Sequence, residues 1–280
     1  MSNRPTKFSD LQLHDENSYA AFTRQYSIDT NRLIRAGLKV ESHIGVRKSD
    51  KVEVVIKKVN FSNSSARASS ASDFLNSVHI IEGRAVPKEY DTQLKASRGN
   101  PGVVKQLEWF ENDNENGYVL VTEHHASYMS MSDFIVAYSV EMPELLAKPI
   151  FKSALTSVIY CHLNGVGCLD LQARNVLVHW PTRHVKIGAF GFARQHLAGE
   201  HNYGVERRDV NALGSLLYEM LHRKKLKLGL GKNAEEVMGL GERFHTLSFA
   251  CRDLLVGMTV SDVATAIALS TVSEHEWLKD

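Results

Sequence analysis

Cysteine is scarce in this chain: Cys161, Cys168 and Cys251 are the only three in 280 residues. They are too few and too scattered for a disulfide framework or a metal knuckle, so a reducing compartment, cytoplasm or nucleus, is expected. An excess of one charge is missing too, since 33 Lys and Arg against 32 Asp and Glu leave a net charge of +1. That balance gives no field favouring nucleic acid or a membrane surface as partner. No apolar run reaches the ~20 residues that a membrane span needs. The start, Met-Ser-Asn-Arg-Pro-Thr-Lys, lacks the apolar stretch of a signal peptide. Without such a signal, Asn63-Ser64-Ser65 reads as plain loop and not as a glycosylation site. Thirteen histidines include no His-Glu-x-x-His spacing, so no metal site is expected, and no Ser-His-Asp motif context occurs. What remains is an ordinary 43% apolar content, enough for a real core.

Residues 1–30 are polar, and a flexible or loosely docked leader is expected there, with one short helix around Ser18 to Gln25. Strand signal starts near Leu33. Gly37 then precedes Lys39 and Ser42 at a turn, and Lys51 to Val59 alternates β-branched residues as a strand carrying Lys57. Asn60 to Ser77 is rich in Ser, Asn and Ala and reads as a loop. A helix is expected after Pro87, carrying Glu89 and Gln93, since proline is tolerated at a helix start. Two strands follow, Gly102 to Glu111 and Tyr118 to Glu123. Glu144 to Leu163 has apolar residues at helical spacing, with Pro149 expected to bend or shorten its first turn. The basic run His222 to Lys227 reads as a helix end capped by Gly229.

The stretch that organises the rest is Cys168-Leu-Asp-Leu-Gln-Ala-Arg-Asn175, an apolar hairpin, then Gly188-Ala-Phe-Gly191. It resembles the catalytic loop and metal loop of protein kinases, H-R-D-L-K-x-x-N followed by D-F-G. Val54-Val-Ile-Lys57 resembles V-A-I-K, and Asp209-Val-Asn-Ala-Leu-Gly-Ser-Leu-Leu-Tyr-Glu-Met-Leu221 resembles helix αF. Val86-Pro-x-Glu89, Gly102-Val-Val and Leu107-x-Trp-Phe-Glu111 are similar to the N-lobe of Pim-type serine/threonine kinases of the calmodulin-kinase group. The resemblance implies an α+β, two-lobed protein-kinase-like fold. A β-rich N-lobe over 31–123 and a mainly helical C-lobe over 124–280 are expected.

The same resemblance implies nucleotide contacts at Gly37, Lys57, Glu89, Glu123 and Asn175, with Asp170 at a vestigial base position. It also marks degenerate positions. Lys39 and Ser42 replace phosphate-loop glycines, Cys168 replaces a His, Gln172 replaces the phosphate-contacting Lys, and Ala189 replaces the magnesium-holding Asp. Only Phe192 to Arg208 separates Gly191 from Asp209, without proline or an A-P-E motif, so a shortened activation segment is expected. Its usual Arg partner falls on Ala266. Phosphoryl transfer depends on positioning and on positive charge near the phosphates. With that charge reduced, the expectation is a pseudokinase and not an enzyme. It would act as a scaffold or allosteric regulator for a protein partner, an active kinase or its substrate. ATP binding is expected to be weak and without magnesium dependence. A weak or unconventional serine/threonine kinase is the alternative, because Lys57, Glu89, Asp170 and Asn175 survive.

Overall fold

A computed structural model describes residues 15–37, 39–61, 77–81, 84–112, 117–138, 140–196, 202–226, 242–259 and 267–279. The architecture is α+β, in two compact units: residues 1–94 with 104–126, and residues 95–103 with 127–280.

The first unit opens earlier than the leader expectation allowed. A 3₁₀ turn, Asp15–Asn17, leads to helix α1, Tyr19–Gln25, with Ser18 as N-cap accepting from the Ala21 N–H. Strand β1, Tyr26–Ala36, then begins seven residues before Leu33. The reason is aromatic packing. Phe22 and Tyr26 are buried and lie 5.5 and 5.9 Å from the Phe110 ring, so they fix the segment to the sheet. β1 continues through β2, Val40–Arg47, β3, Glu53–Asn60, β4, Val78–Ile81, and β5, Arg84–Pro87, to helix α2, Lys88–Ala96. β6, Gln106–Asn112, and β7, Gly117–Glu123, complete an antiparallel sheet of order β1-β2-β3-β7-β6. Alternation along β3 decides the layers. Val54 and Ile56 join Phe22, Phe110, Val119 and Val121 in one cluster, and Val59 joins Trp109, Tyr118 and Leu120 in another. Lys57 shares the parity of Val59, and so lies on the face away from Val54 and Ile56.

The second unit holds the larger core. Its elements are β8, Tyr128–Ser130, α3, Met131–Ala137, α4, Glu144–Leu163, β9, Val166–Gly167, β10, Val176–His179, β11, His184–Ile187, and β12, Arg194–Gln195. They are followed by α5, Tyr203–His222, α6, Glu242–Thr246, α7, Phe249–Thr259, and α8, Leu269–Glu274. α4 runs continuously from Glu144 through Pro149, so its first turn is not shortened. The proline has no N–H to give the Leu145 carbonyl, and it falls at the exposed start of the helix, where Leu145 is 81% exposed. α5 ends at His222, with Arg223 in the left-handed region at φ 55° and its N–H donating to Glu219 O at 2.9 Å. The expected glycine cap at Gly229 is therefore corrected to Arg223. Residues 227–241 lie outside the described residues, as do Asn63, most of the Asn60–Ser77 loop and Ala266. α5 begins six residues before Asp209, so the last six residues of the expected activation segment are helix. Glu206 in its first turn accepts from the Leu269 N–H at 2.8 Å, tying α5 to α8.

Candidate functional site

In the first unit, strand parity carries Lys57 to the face where α2 presents Glu89. Lys57 Nζ lies 2.6 Å from both oxygens of the Glu89 carboxylate. Glu89 is 5% exposed, so the pair is largely removed from water. A half-buried pair of this kind orients a lysine, and removing one partner alone leaves a stranded charge. Gly37 lies at the β1–β2 turn, its N–H donating to Val40 O at 2.8 Å. Lys39 is half-buried, and Ser42 is buried in β2 directly across from Lys57. Glu123 ends β7, and its carboxylate accepts from the Lys105 N–H at 3.0 Å. Its side chain is thus committed to a backbone cap. Gln93, at a position where kinases carry an apolar residue, is 2% exposed but donates to Val104 O at 2.8 Å. A buried amide with its bond made is tolerated. His124 and His125 pair with Glu53 and Glu123.

In the second unit, the loop from Cys168 to Asn175 is held from below. Asp209 is fully buried; its Oδ2 accepts from the Cys168 N–H at 2.8 Å and its Oδ1 from the Leu169 N–H at 2.7 Å. His162 Nε2 lies 2.8 Å from Asp209 Oδ2. These bonds stabilise Leu169 at φ 57°, a conformation unfavourable to a branched side chain. The result aims Asp170 outward. Its Oδ2 accepts from Asn175 Nδ2 at 2.8 Å and its Oδ1 from Gln172 Nε2. Asn175 Nδ2 also lies 2.9 Å from Asp170 O, and Asn175 is 5% exposed. Ala189 caps the Phe190–Phe192 turn at φ 64° and ψ 67°, with Phe190 buried behind it.

The arrangement is a carboxylate locked by two neutral amides. Cys168, in place of the family His, adds no charge: its hydrogen bond with Cys161, then burial, raises the thiol well above its ordinary pKa. The donor set fits magnesium poorly. Hard cations take oxygen ligands, Ala189 has none, and both Asp170 oxygens already accept hydrogen bonds. Sequence reasoning placed Lys57 with Glu89 and Asp170 with Asn175, and the structure brings each pair together. It missed His162, whose link to Asp209 leaves no motif, because the residues are 47 apart and meet only through the packing of α4 and α5.

Residues 39–207 match the family model described as "Protein kinase domain". Serine/threonine-protein kinase pim-2 of Danio rerio is 23% identical over 96% of this chain and 89% of its own length. Serine/threonine-protein kinase PSK2 of Saccharomyces cerevisiae is 22% identical over 69% of this chain, and ppk6 of Schizosaccharomyces pombe is 28% identical over 67%. The chain spans only 19% and 25% of those two relatives. A kinase-domain match with relatives named as protein kinases points to an enzyme. It overturns the expectation, drawn from Ala189 and Gln172, that the chain is not one. Lys57 pairs with Glu89 in the first unit, and Asp170 with Asn175 in the second.

Proposed function

The chain belongs to the protein kinase domain family, and from that premise we propose that it is a slow, unconventional ATP-dependent serine/threonine protein kinase of the Pim-like branch. The match to pim-2 along nearly the whole chain supports the branch. The observation that carries the activity is the Asp170–Asn175 lock at 2.8 Å on a loop pinned by buried Asp209. A positioned carboxylate of this kind accepts a proton. In the proposed step, the oxygen of a serine or threonine hydroxyl bonds to the γ-phosphorus of ATP. Its proton passes to an Asp170 carboxylate oxygen, the bond from γ-phosphorus to the β–γ bridging oxygen breaks, and ADP leaves with that electron pair.

Lys57, fixed by Glu89, is the cation assigned to the nucleotide phosphates, and Gly37 and Glu123 are assigned to the turn and backbone around it. Asn175 acts by orienting Asp170. Losing a preorganised stabiliser of transition-state charge lowers rates by about 10²–10³, so Ala189 and Gln172 set a slow reaction. ATP binding is weak and indifferent to magnesium in this reading. The partner is a protein, an active kinase or a substrate, meeting the chain in the cytoplasm or nucleus. Exposed Phe192 and Tyr203 and the cations Lys224 and Lys225 supply a surface for it, with Lys227 outside the described residues. Among the described residues, no helix is long and apolar enough to cross a membrane.

The test is label transfer from γ-labelled ATP to a serine/threonine peptide mixture, with magnesium and with chelator, for wild type and Asp170→Asn. Slow transfer that survives chelator and vanishes in the variant is expected. Equal background from both proteins would overturn the assignment.

A further inference from the structure

The 3₁₀ turn Asp15–Asn17 and α1 lie before residue 39, where the family match begins. They do more than cover the sheet. With β6 and Tyr90 of α2 they border an open cleft of about 520 Å³ in the first unit. That volume lies within the range of real ligand sites, roughly 300–1,000 Å³. Its walls include the carboxylates of Glu16 and Glu108, the guanidinium of Arg24, and the rings of Tyr90 and Trp109, whose centroids are 6.3 Å apart.

The chemistry of the walls points one way. Glu108 Oε2 accepts from the Tyr26 hydroxyl at 2.6 Å, while Oε1 has no hydrogen-bond partner among the described residues. The Tyr90 hydroxyl likewise has none among them. Burial first, and then the negative charges of Glu108 and Asp91, hold the Tyr90 phenol above its ordinary pKa. Two carboxylates against one guanidinium, with aromatic faces beside them, suit a cation. β6 is the edge strand of the five-stranded sheet. Its Trp109 carbonyl already accepts from a side chain, Asn17 Nδ2 at 2.8 Å, and not from a further strand. The chain's own segment thus already covers that edge, and what the walls offer an occupant is the pair of acids, which suit a basic side chain.

We propose that this cleft binds a short basic peptide segment of a protein partner, with its cationic side chain between Glu16 and Glu108. The site also bears on Lys57. Tyr90 is the neighbour of Glu89 on α2, so an occupant resting on Tyr90 biases the helix that presents Glu89 to Lys57. Only that consequence for catalysis rests on the proposed function; binding does not.

The test uses the full chain, without nucleotide, titrated by calorimetry with acetyl-Ser-Arg-Leu-Arg-Ser-amide and with the matching Glu peptide. Binding of the basic peptide, weakened at least tenfold by Glu16→Lys and by Glu108→Gln and weakened by salt, is expected. Glu16 is exposed, so its variant should fold even where Glu108→Gln perturbs Tyr26. No binding, equal binding by Glu16→Lys, or equal binding of the acidic peptide overturns the site. A protein that binds the peptide but transfers no phosphate refutes only the kinase reading. One that transfers phosphate without binding the peptide refutes only this site.

Discussion

Alanine at position 189 holds a left-handed backbone that its side chain does nothing to favour. That region costs an ordinary L-residue roughly 1–2 kcal/mol, and Asp and Asn tolerate it best. The loop therefore keeps a shape suited to an aspartate while lacking its oxygens. Ala189→Asp should fold, because the backbone already accommodates the residue, and it restores a hard-cation ligand beside Asn175. The expected outcome is a magnesium-dependent rise in melting temperature that wild type lacks. Label transfer should also become about 10²-fold faster with magnesium, the size expected for one stabiliser of transition-state charge. A variant that folds but ignores magnesium in both assays would show that the missing oxygen is not what sets the rate.

At the scale of elements, α5 matters less as a packing helix than as the carrier of Asp209. Its carboxylate, with no solvent exposure, takes the N–H groups of Cys168 and Leu169 and faces His162. Bonds to a charged group contribute about 1.5–3 kcal/mol each, and a buried donor left unmatched costs more than the bond was worth. Asp209→Asn keeps the size but turns an amide NH₂ toward one of the two N–H donors. It should lower unfolding free energy by about 3 kcal/mol or more, read by denaturant titration, and release Leu169 from its strained conformation. Transfer by whatever fraction stays folded should fall as well, since Asp170 follows Leu169 in the chain. A stable but slow variant would separate the two roles, and a stable, unimpaired one would refute both.

For the whole molecule, how far the fold was legible depended on how local its cause was. The β3 alternation and the Glu144–Leu163 periodicity are local, so the Lys57 strand stood out from the sequence to within two residues, and α4 with its bounds. The catalytic-loop motif packs its consequences into eight residues, and Asp170 with Asn175 followed from it. What stayed hidden is long-range. Nothing polar about residues 15–30 announced that Phe22 would bury against Phe110, 88 positions away, and anchor α1. Nor did a basic run with a glycine announce that α5 would stop at Arg223, since a left-handed arginine is set by the carbonyls of the last turn. The expectation that the chain is not an enzyme failed for a related reason: charged positions are visible in a motif, whereas hydrogen-bonded positioning becomes visible only in the fold.

Glu144 shows the same long-range logic and yields a pH dependence. It begins α4, yet its Oε1 accepts from the Ser248 N–H at 2.7 Å, and its Oε2 from Ser248 Oγ and Trp277 Nε1, each at 2.7 Å. One carboxylate thus joins the starts of α4 and α7 to the chain's last turn, over 133 residues. Burial pushes its pKa up, but the Ser248 and Trp277 donors outweigh that, so the net shift is downward. A group whose folded pKa is depressed stabilises fully above its unfolded value, about 4.3 for glutamate, and loses that contribution as pH falls through the folded value. Glu144→Gln keeps an acceptor but loses the charge, and because the site is half solvated the loss at pH 7 should be modest, about 1–2 kcal/mol. Denaturation midpoints at pH 7 and near pH 3 should therefore converge between wild type and variant as the acid side is reached. The gap between the two proteins would be widest at neutral pH and would narrow as the pH falls below the ordinary glutamate range. A gap of constant size across that range would mean that the Glu144 charge contributes nothing, and that the three bonds act through geometry alone.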